Sequence, residues 1–62
     1  MTGKVKFYKP DKKYGFITGE NGIDYYVNEK FCIDTIRSGD FVTFEIGLKN
    51  EAVNVQVDYN RK

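Results

Sequence analysis

From Ala52 to Tyr59 the chain alternates: Val53, Val55, Val57 and Tyr59 fall on one side of an extended strand, and Asn54, Gln56 and Asp58 fall on the other. A strand of that kind buries one face and wets the other, so it needs a partner layer. Four more segments make the same demand: Lys4 to Tyr8, Tyr14 to Thr18, Asp24 to Asn28 and Phe41 to Ile46. Turn chemistry separates them. Proline fixes φ and aspartate bonds its own backbone in Lys9-Pro10-Asp11-Lys12, Asn21-Gly22 is a strong hairpin signal, and a turn through Gly47 to Asn50 precedes the last strand. From Glu29 to Gly39 the alternation fails. That segment is expected to cross the barrel, with a short helical turn around Phe31 to Ile36.

No amphipathic helix of useful length is present to cover five half-apolar strands, so the sheet must close on itself. The expected fold is all-β, a five-stranded antiparallel Greek-key barrel of the OB-fold type, with an SH3-like barrel as the nearest competitor. Its core would contain Val5, Ile17, Tyr25, Val27, Val42, Phe44, Ile46, Val53 and Val55. At 62 residues the chain has the length of one small domain, expected over 1–62. A domain of this size removes only about 60% of its unfolded surface from water, so modest stability is expected.

Composition narrows the chemistry. The chain is 40% hydrophobic and 31% charged, which fits a soluble globular protein. No transmembrane run and no secretory h-region are seen, so a cytoplasmic location is the expectation. Cys32 is the single cysteine and histidine is absent, which leaves no CxxC pair for zinc and no imidazole base. Carboxylates such as Asp24 and Glu45 are not spaced with a nucleophile. The expectation is a protein without catalysis, cofactor or metal, with Cys32 a small core hydrophobe. The net charge of +1 conceals a basic front. Lys4, Lys6, Lys9, Lys12 and Lys13 all precede residue 14 with Asp11 alone against them, which suits one polyanion-binding face. Taken alone, such lysines could equally protect an edge strand.

The aromatic residues tip that balance. If Ile17 points inward, Tyr14 and Phe16 point outward, and if Tyr25 and Val27 point inward, Tyr26 and Asn28 point outward beside them. Tyrosine and phenylalanine favour strands in any case, so one exposed ring means nothing. Three on neighbouring strands, with Gly15 between two of them and Lys6, Lys12 and Lys13 alongside, form a platform for unpaired bases and their phosphates.

Gly3-Lys4-Val5-Lys6-Phe7-Tyr8, Lys12 to Ile17 and Asp24-Tyr25-Tyr26-Val27-Asn28 together resemble the bacterial cold-shock proteins. The match continues through Ser38-Gly39-Asp40, Val42, Phe44-Glu45-Ile46 and Ala52-Val53-Asn54-Val55, nearly the whole chain. The resemblance implies an OB-fold that binds single-stranded RNA or DNA, often pyrimidine-rich, and acts as an RNA chaperone or a regulator of transcription or translation. It places Tyr14 and Phe16 in the first RNA-binding motif and Tyr26 and Asn28 in the second, and it puts Phe7 where the family usually has tryptophan. Strict alternation would instead bury Phe7 beside Val5 and expose Tyr8. A bulge in the first strand would reconcile the two, leaving Tyr8 partly buried.

Departures from the family pattern fall mainly on the same face. Lys13 stands where the family has glycine, Asn28 where it has histidine, and Lys9 where it has asparagine. The segment from Glu29 to Ser38 is shortened, with Phe31 available to restore a lost surface ring, and the Gly-Pro element usual before Ala52 is missing. Phe41 falls on the outward side of the fourth strand, at a place where the resemblance suggests a small residue. The candidate contact residues are thus Lys6, Phe7, Lys12, Lys13, Tyr14, Phe16, Tyr26, Asn28 and Phe31. A monomer is expected, and strand exchange through the short connection makes a swapped dimer the alternative. The competing function is a small barrel that offers its aromatic patch to a peptide or protein partner.

Overall fold

The computed structural model describes residues 1–60. Its five strands are β1 (Thr2–Lys9), β2 (Tyr14–Gly19), β3 (Asp24–Asn28), β4 (Phe41–Ile46) and β5 (Glu51–Val57). They close into a barrel in the order β1-β2-β3-β5-β4. The β1–β2, β2–β3, β1–β4 and β4–β5 pairs are antiparallel, whereas β3 meets β5 in parallel through Tyr26↔Glu51 and Val27↔Ala52. That parallel closure is the one pairing the antiparallel expectation did not contain. It follows from the crossing segment, which carries the chain over the barrel between β3 and β4.

Two irregularities set which side chains enter the core. In β1, Val5 pairs with Ile17 and Phe7 with Phe16, so two residues of β1 advance against one of β2 and Lys6 is the extra residue of a bulge. The bulge coincides with a second set of bonds: the Val5 N–H donates to the Asp40 carbonyl at 2.8 Å, and the Gly39 N–H donates to the Val5 carbonyl at 2.8 Å. In β5, Val53 pairs with Glu45 and Gln56 with Thr43, three residues against two. Asn54 takes up the extra length at φ 51, a conformation asparagine tolerates better than most residues, and its Nδ2 donates to Glu45 Oε2 at 2.6 Å.

The core is Val5, Ile17, Tyr25, Val27, Ile36, Val42, Phe44, Ala52 and Val55. Two expected members are missing from it. Val53 is only partly buried, because the extra residue of β5 turns Ala52 and Val55, rather than Val53 and Val55, inward, and Ile46, paired with Ala52 at the end of β4, is 46% exposed. Tyr59, expected to continue the apolar face, lies beyond β5 and is 75% exposed. The crossing segment also differs from expectation. Its helical turn is a single 3-10 turn at Glu29–Phe31, earlier than the expected Phe31 to Ile36. Ile36 instead serves as a core side chain. Cys32 is half-buried against the core, its strand-like bridge to Val55 tying the segment to β5.

Ile36, from the crossing segment, therefore sits in the core, and Ile46, expected there, is exposed. Ile36→Ala should destabilise the protein by about 2 to 5 kcal/mol, as for other fully buried aliphatic truncations, and Ile46→Ala by clearly less. Urea unfolding monitored by tyrosine fluorescence measures both.

Candidate nucleic-acid interface

Four rings gather on the outer face of β1, β2 and β3. Phe7 lies 5.6 Å from Phe16 and 6.4 Å from Tyr14, centroid to centroid. Tyr26 lies 5.8 Å from Phe16, edge to face, and 6.0 Å from Tyr14 in a stacked arrangement. Strand register brings them together: Phe16 is paired with Phe7 on one side and Tyr26 on the other. All four are half-exposed. The β1 bulge puts Phe7 in this cluster and turns Tyr8 back toward the core, where it is partly buried. Burial holds the Tyr8 hydroxyl above its ordinary pKa, with Cys32 and Glu29 adding to the shift.

The β1–β2 contact requires glycine at position 15. A Cβ there would collide with the Phe7 carbonyl oxygen and stand 2.8 Å from Tyr8 Cα. The bare backbone at Gly15 lets β1 approach closely enough for Phe7 and Phe16 to share one surface.

Lysines border the cluster. The Lys9 ammonium lies 5.8 Å from the Phe7 centroid, a cation–π distance. Lys12 and Lys13 are exposed in the β1–β2 turn. The backbone N–H groups of both donate to the Lys9 carbonyl, at 3.1 and 2.7 Å. Lys6 is exposed and ion-paired with Asp24 at 2.9 Å. The hydrogen bond from Lys6, with a second from Thr18, holds the Asp24 carboxyl below its ordinary pKa. A carboxyl whose folded pKa is depressed stabilises the fold above its unfolded value, and that contribution is lost as the pH falls through the folded one. On the opposite side of the cluster, Glu51 of β5 pairs with Tyr26. The rings therefore have a basic border along β1 and its turn and an acidic neighbour on β5.

Asn28 sits at the end of β3 with a fixed amide orientation. Its Oδ1 accepts the Lys30 N–H at 3.1 Å, and because a backbone N–H can only donate, the amide nitrogen must face the other way. There Nδ2 makes a long, 3.4 Å contact with the Tyr26 hydroxyl. Phe31 is half-exposed beneath the Lys30 ammonium, 5.1 Å from its centroid. Among the described residues it makes no ring contact with the four-ring cluster.

The structure thus gathers Phe7, Tyr14, Phe16, Tyr26 and Asn28, sets Lys6, Lys12 and Lys13 around them, and leaves Phe31 apart. The candidate contact residues read from the sequence included neither Lys9 nor Glu51. Lys9 had a signal in the basic front, but the partner of Glu51 follows only from the parallel closure. Among the described residues no cluster of three His, Cys, Asp or Glu could hold a metal ion, and no helix is long and apolar enough to cross a membrane.

A closed five-stranded barrel with a lysine-bordered ring platform on three adjacent strands defines a class of small β-barrel binding protein. No family model matches the chain. Among curated proteins it is 42% identical over 64 residues to the cold shock-like protein of Thermotoga maritima, covering 92% of this chain and 97% of that protein. It is 45% identical over 47 residues to cold shock protein 1 of Lactiplantibacillus plantarum, covering 76% of this chain and 65% of that relative's length. Cold shock-like protein CspI of Escherichia coli is 39% identical over 57 residues, 81% of this chain and 76% of that protein. The chain belongs to the cold-shock protein family.

The family's usual glycine at position 13 now has a structural reason. Lys13 has φ 62, the left-handed region in which a side chain costs about 1 to 2 kcal/mol and glycine costs far less. Lys13→Gly should raise stability by about 0.5 to 1 kcal/mol, the left-handed cost less the chain entropy that glycine adds. A shift of the urea midpoint to higher denaturant measures it.

Proposed function

We propose that this protein binds single-stranded RNA or DNA by stacking unpaired bases on Phe7, Tyr14, Phe16 and Tyr26. In this reading Lys6, Lys9, Lys12 and Lys13 meet the phosphates, Asn28 offers a polar edge beside Tyr26, and Phe31 contacts the strand only where it leaves the cluster. The observation that carries the reading is the contiguity of four half-exposed rings across three strands with lysines along one border. Solvent-exposed aromatic surface of that extent is disfavoured unless something covers it, and bases supply flat faces joined to charge.

Such binding acts by mass action. A protein that takes the unpaired strand and ignores the duplex shifts weak RNA pairing toward the open form without consuming a nucleotide. We assign it the role of an RNA chaperone or regulator of transcription or translation in the cytoplasm, working as a monomer without catalysis. A mainly hydrophobic peptide site on the same rings would bind independently of salt, whereas contacts to phosphates weaken as counterions are released less favourably.

A labelled pyrimidine-rich heptanucleotide, titrated by fluorescence anisotropy at several salt concentrations beside its own duplex, tests the reading. Single-strand binding should fall with salt at a log–log slope of about −2 to −3, as expected for three or four phosphate contacts, and the duplex should not compete. Phe16→Ala should weaken binding by about 1 to 3 kcal/mol without lowering the unfolding midpoint substantially. Salt-independent binding, or none, would overturn the proposal.

The chain has no histidine, so no imidazole titrates on the face between mildly acidic and neutral pH, and Asp24 is held below its ordinary pKa. The affinity should be flat across that interval, checked by repeating the titration at constant ionic strength.

A further inference from the structure

We propose that the binding face continues beyond the four rings to Phe41, which takes one further base of the same single strand, with Lys4 and Lys6 on the intervening phosphates. This rests on the single-strand reading above and extends its footprint to a fourth strand of the barrel.

Strand register carries the argument. Phe41 opens β4 and is paired with Lys4 of β1. Lys4 is paired with Thr18 of β2, and Thr18 with Asp24 of β3. Their neighbours Val5, Ile17, Tyr25 and Val42 are core residues, so Phe41, Lys4, Thr18 and Asp24 form one outward row across four strands. Two residues further along β2 and β3 the next outward row contains Phe16 and Tyr26, roughly 7 Å away at the rise of a β-strand. The row holding Phe41 is therefore the neighbour of the row holding the platform, on the same side of the sheet.

The surface between them is open and carries cations. A trough lined by Lys4, Val5, Lys6, Thr18 and Gly39 runs beside the bulge. A smaller one, lined by Gly3, Lys4, Thr18, Gly19, Glu20 and Phe41, adjoins it across Lys4 and Thr18. The Lys4 ammonium stands 5.5 Å from the Phe41 centroid, so a half-exposed ring and a lysine already form a unit at the far end. Stacking on an aromatic face is open to every base, and the lysine displaced from that face can move to the adjoining phosphate. The acid of the smaller trough, Glu20, and the acid of the row, Asp24, are already engaged. Glu20 accepts hydrogen bonds from the Thr2 N–H and hydroxyl at 3.0 and 3.2 Å, and Asp24 is held by Lys6 and Thr18.

The occupant is the continuing strand itself, because Lys6 and Thr18 of the trough lie beside the platform, Lys6 next to Phe7 in β1 and Thr18 two residues from Phe16 in β2, and two lysines line it. The test is a set of oligothymidylates lengthened one nucleotide at a time from seven to eleven, titrated against the native protein, Phe41→Leu and Lys4→Gln. Leucine keeps apolar bulk at the position and removes the stacking face, so the fold is retained. The statistical gain from extra binding registers is common to all three proteins. Native affinity should keep rising for at least one nucleotide beyond the length at which Phe41→Leu levels off. Phe41→Leu should bind the longest strand about tenfold more weakly than the native protein and the heptamer equally well. Lys4→Gln should flatten the salt slope for the longest strand alone. Equal saturation lengths in native protein and Phe41→Leu would overturn the inference and leave the single-strand reading standing. Failure of the native protein to bind any length would overturn both.

Discussion

One residue of β1, Lys6, has no counterpart on β2, and the surface chemistry of the molecule depends on it. Because the bulge adds half a pleat, Val5 and Tyr8 both turn toward the core while Phe7 turns outward onto Phe16. Without the extra residue the pleat would carry Phe7 into the core behind Val5, and the outer face would lose the ring that links β1 to the cluster. The bulge is held from outside the strand pair, by the hydrogen bonds that Val5 exchanges with Gly39 and Asp40. The crossing segment, by anchoring β1 at Val5, therefore helps to determine which rings are presented on the far side of the sheet.

Close approach is the second constraint. Gly15 allows β1 to lie against β2 where a side chain would strike the Phe7 carbonyl, and the same residue separates Tyr14 and Phe16 along β2. Around this contact the charges are sorted, with lysines along β1 and the turn after it and Glu51 at the opposite margin. A polyanion lying on the rings meets cations on one side and is repelled on the other, which gives a nearly neutral chain a directional face.

The departures from the family pattern act through local backbone and hydrogen-bond geometry as much as through lost contacts. Lys13 adds a charge to the turn but occupies a left-handed position that suits glycine. Asn28 gives up an aromatic ring, uses its carbonyl oxygen to cap the 3-10 turn after β3 and directs its amide nitrogen toward the Tyr26 hydroxyl. Each substitution exchanges one physical contribution for another at the edge of the cluster and leaves its four rings in place.

Period-two alternation made all five strands legible within two residues of their ends, because half-buried strands repeat their burial every second residue. It also assigned Tyr14, Phe16 and Tyr26 to one face, since β2 runs without interruption and β3 follows it in register. Resemblance to a family, rather than periodicity, supplied the outward position of Phe7. The sequence by itself determined the strands, the absence of a covering helix and the outward rings of the second and third strands, all of which follow from local periodicity. Only the tertiary structure placed the expected first-strand bulge at Lys6 and decided the bulge at Asn54, the inward turn of Ile36 and Ala52, the exposure of Ile46 and the acidic margin at Glu51. Those features depend on where a strand meets a partner distant in the chain, and a bulge shifts every inward residue beyond it without leaving a mark in local composition.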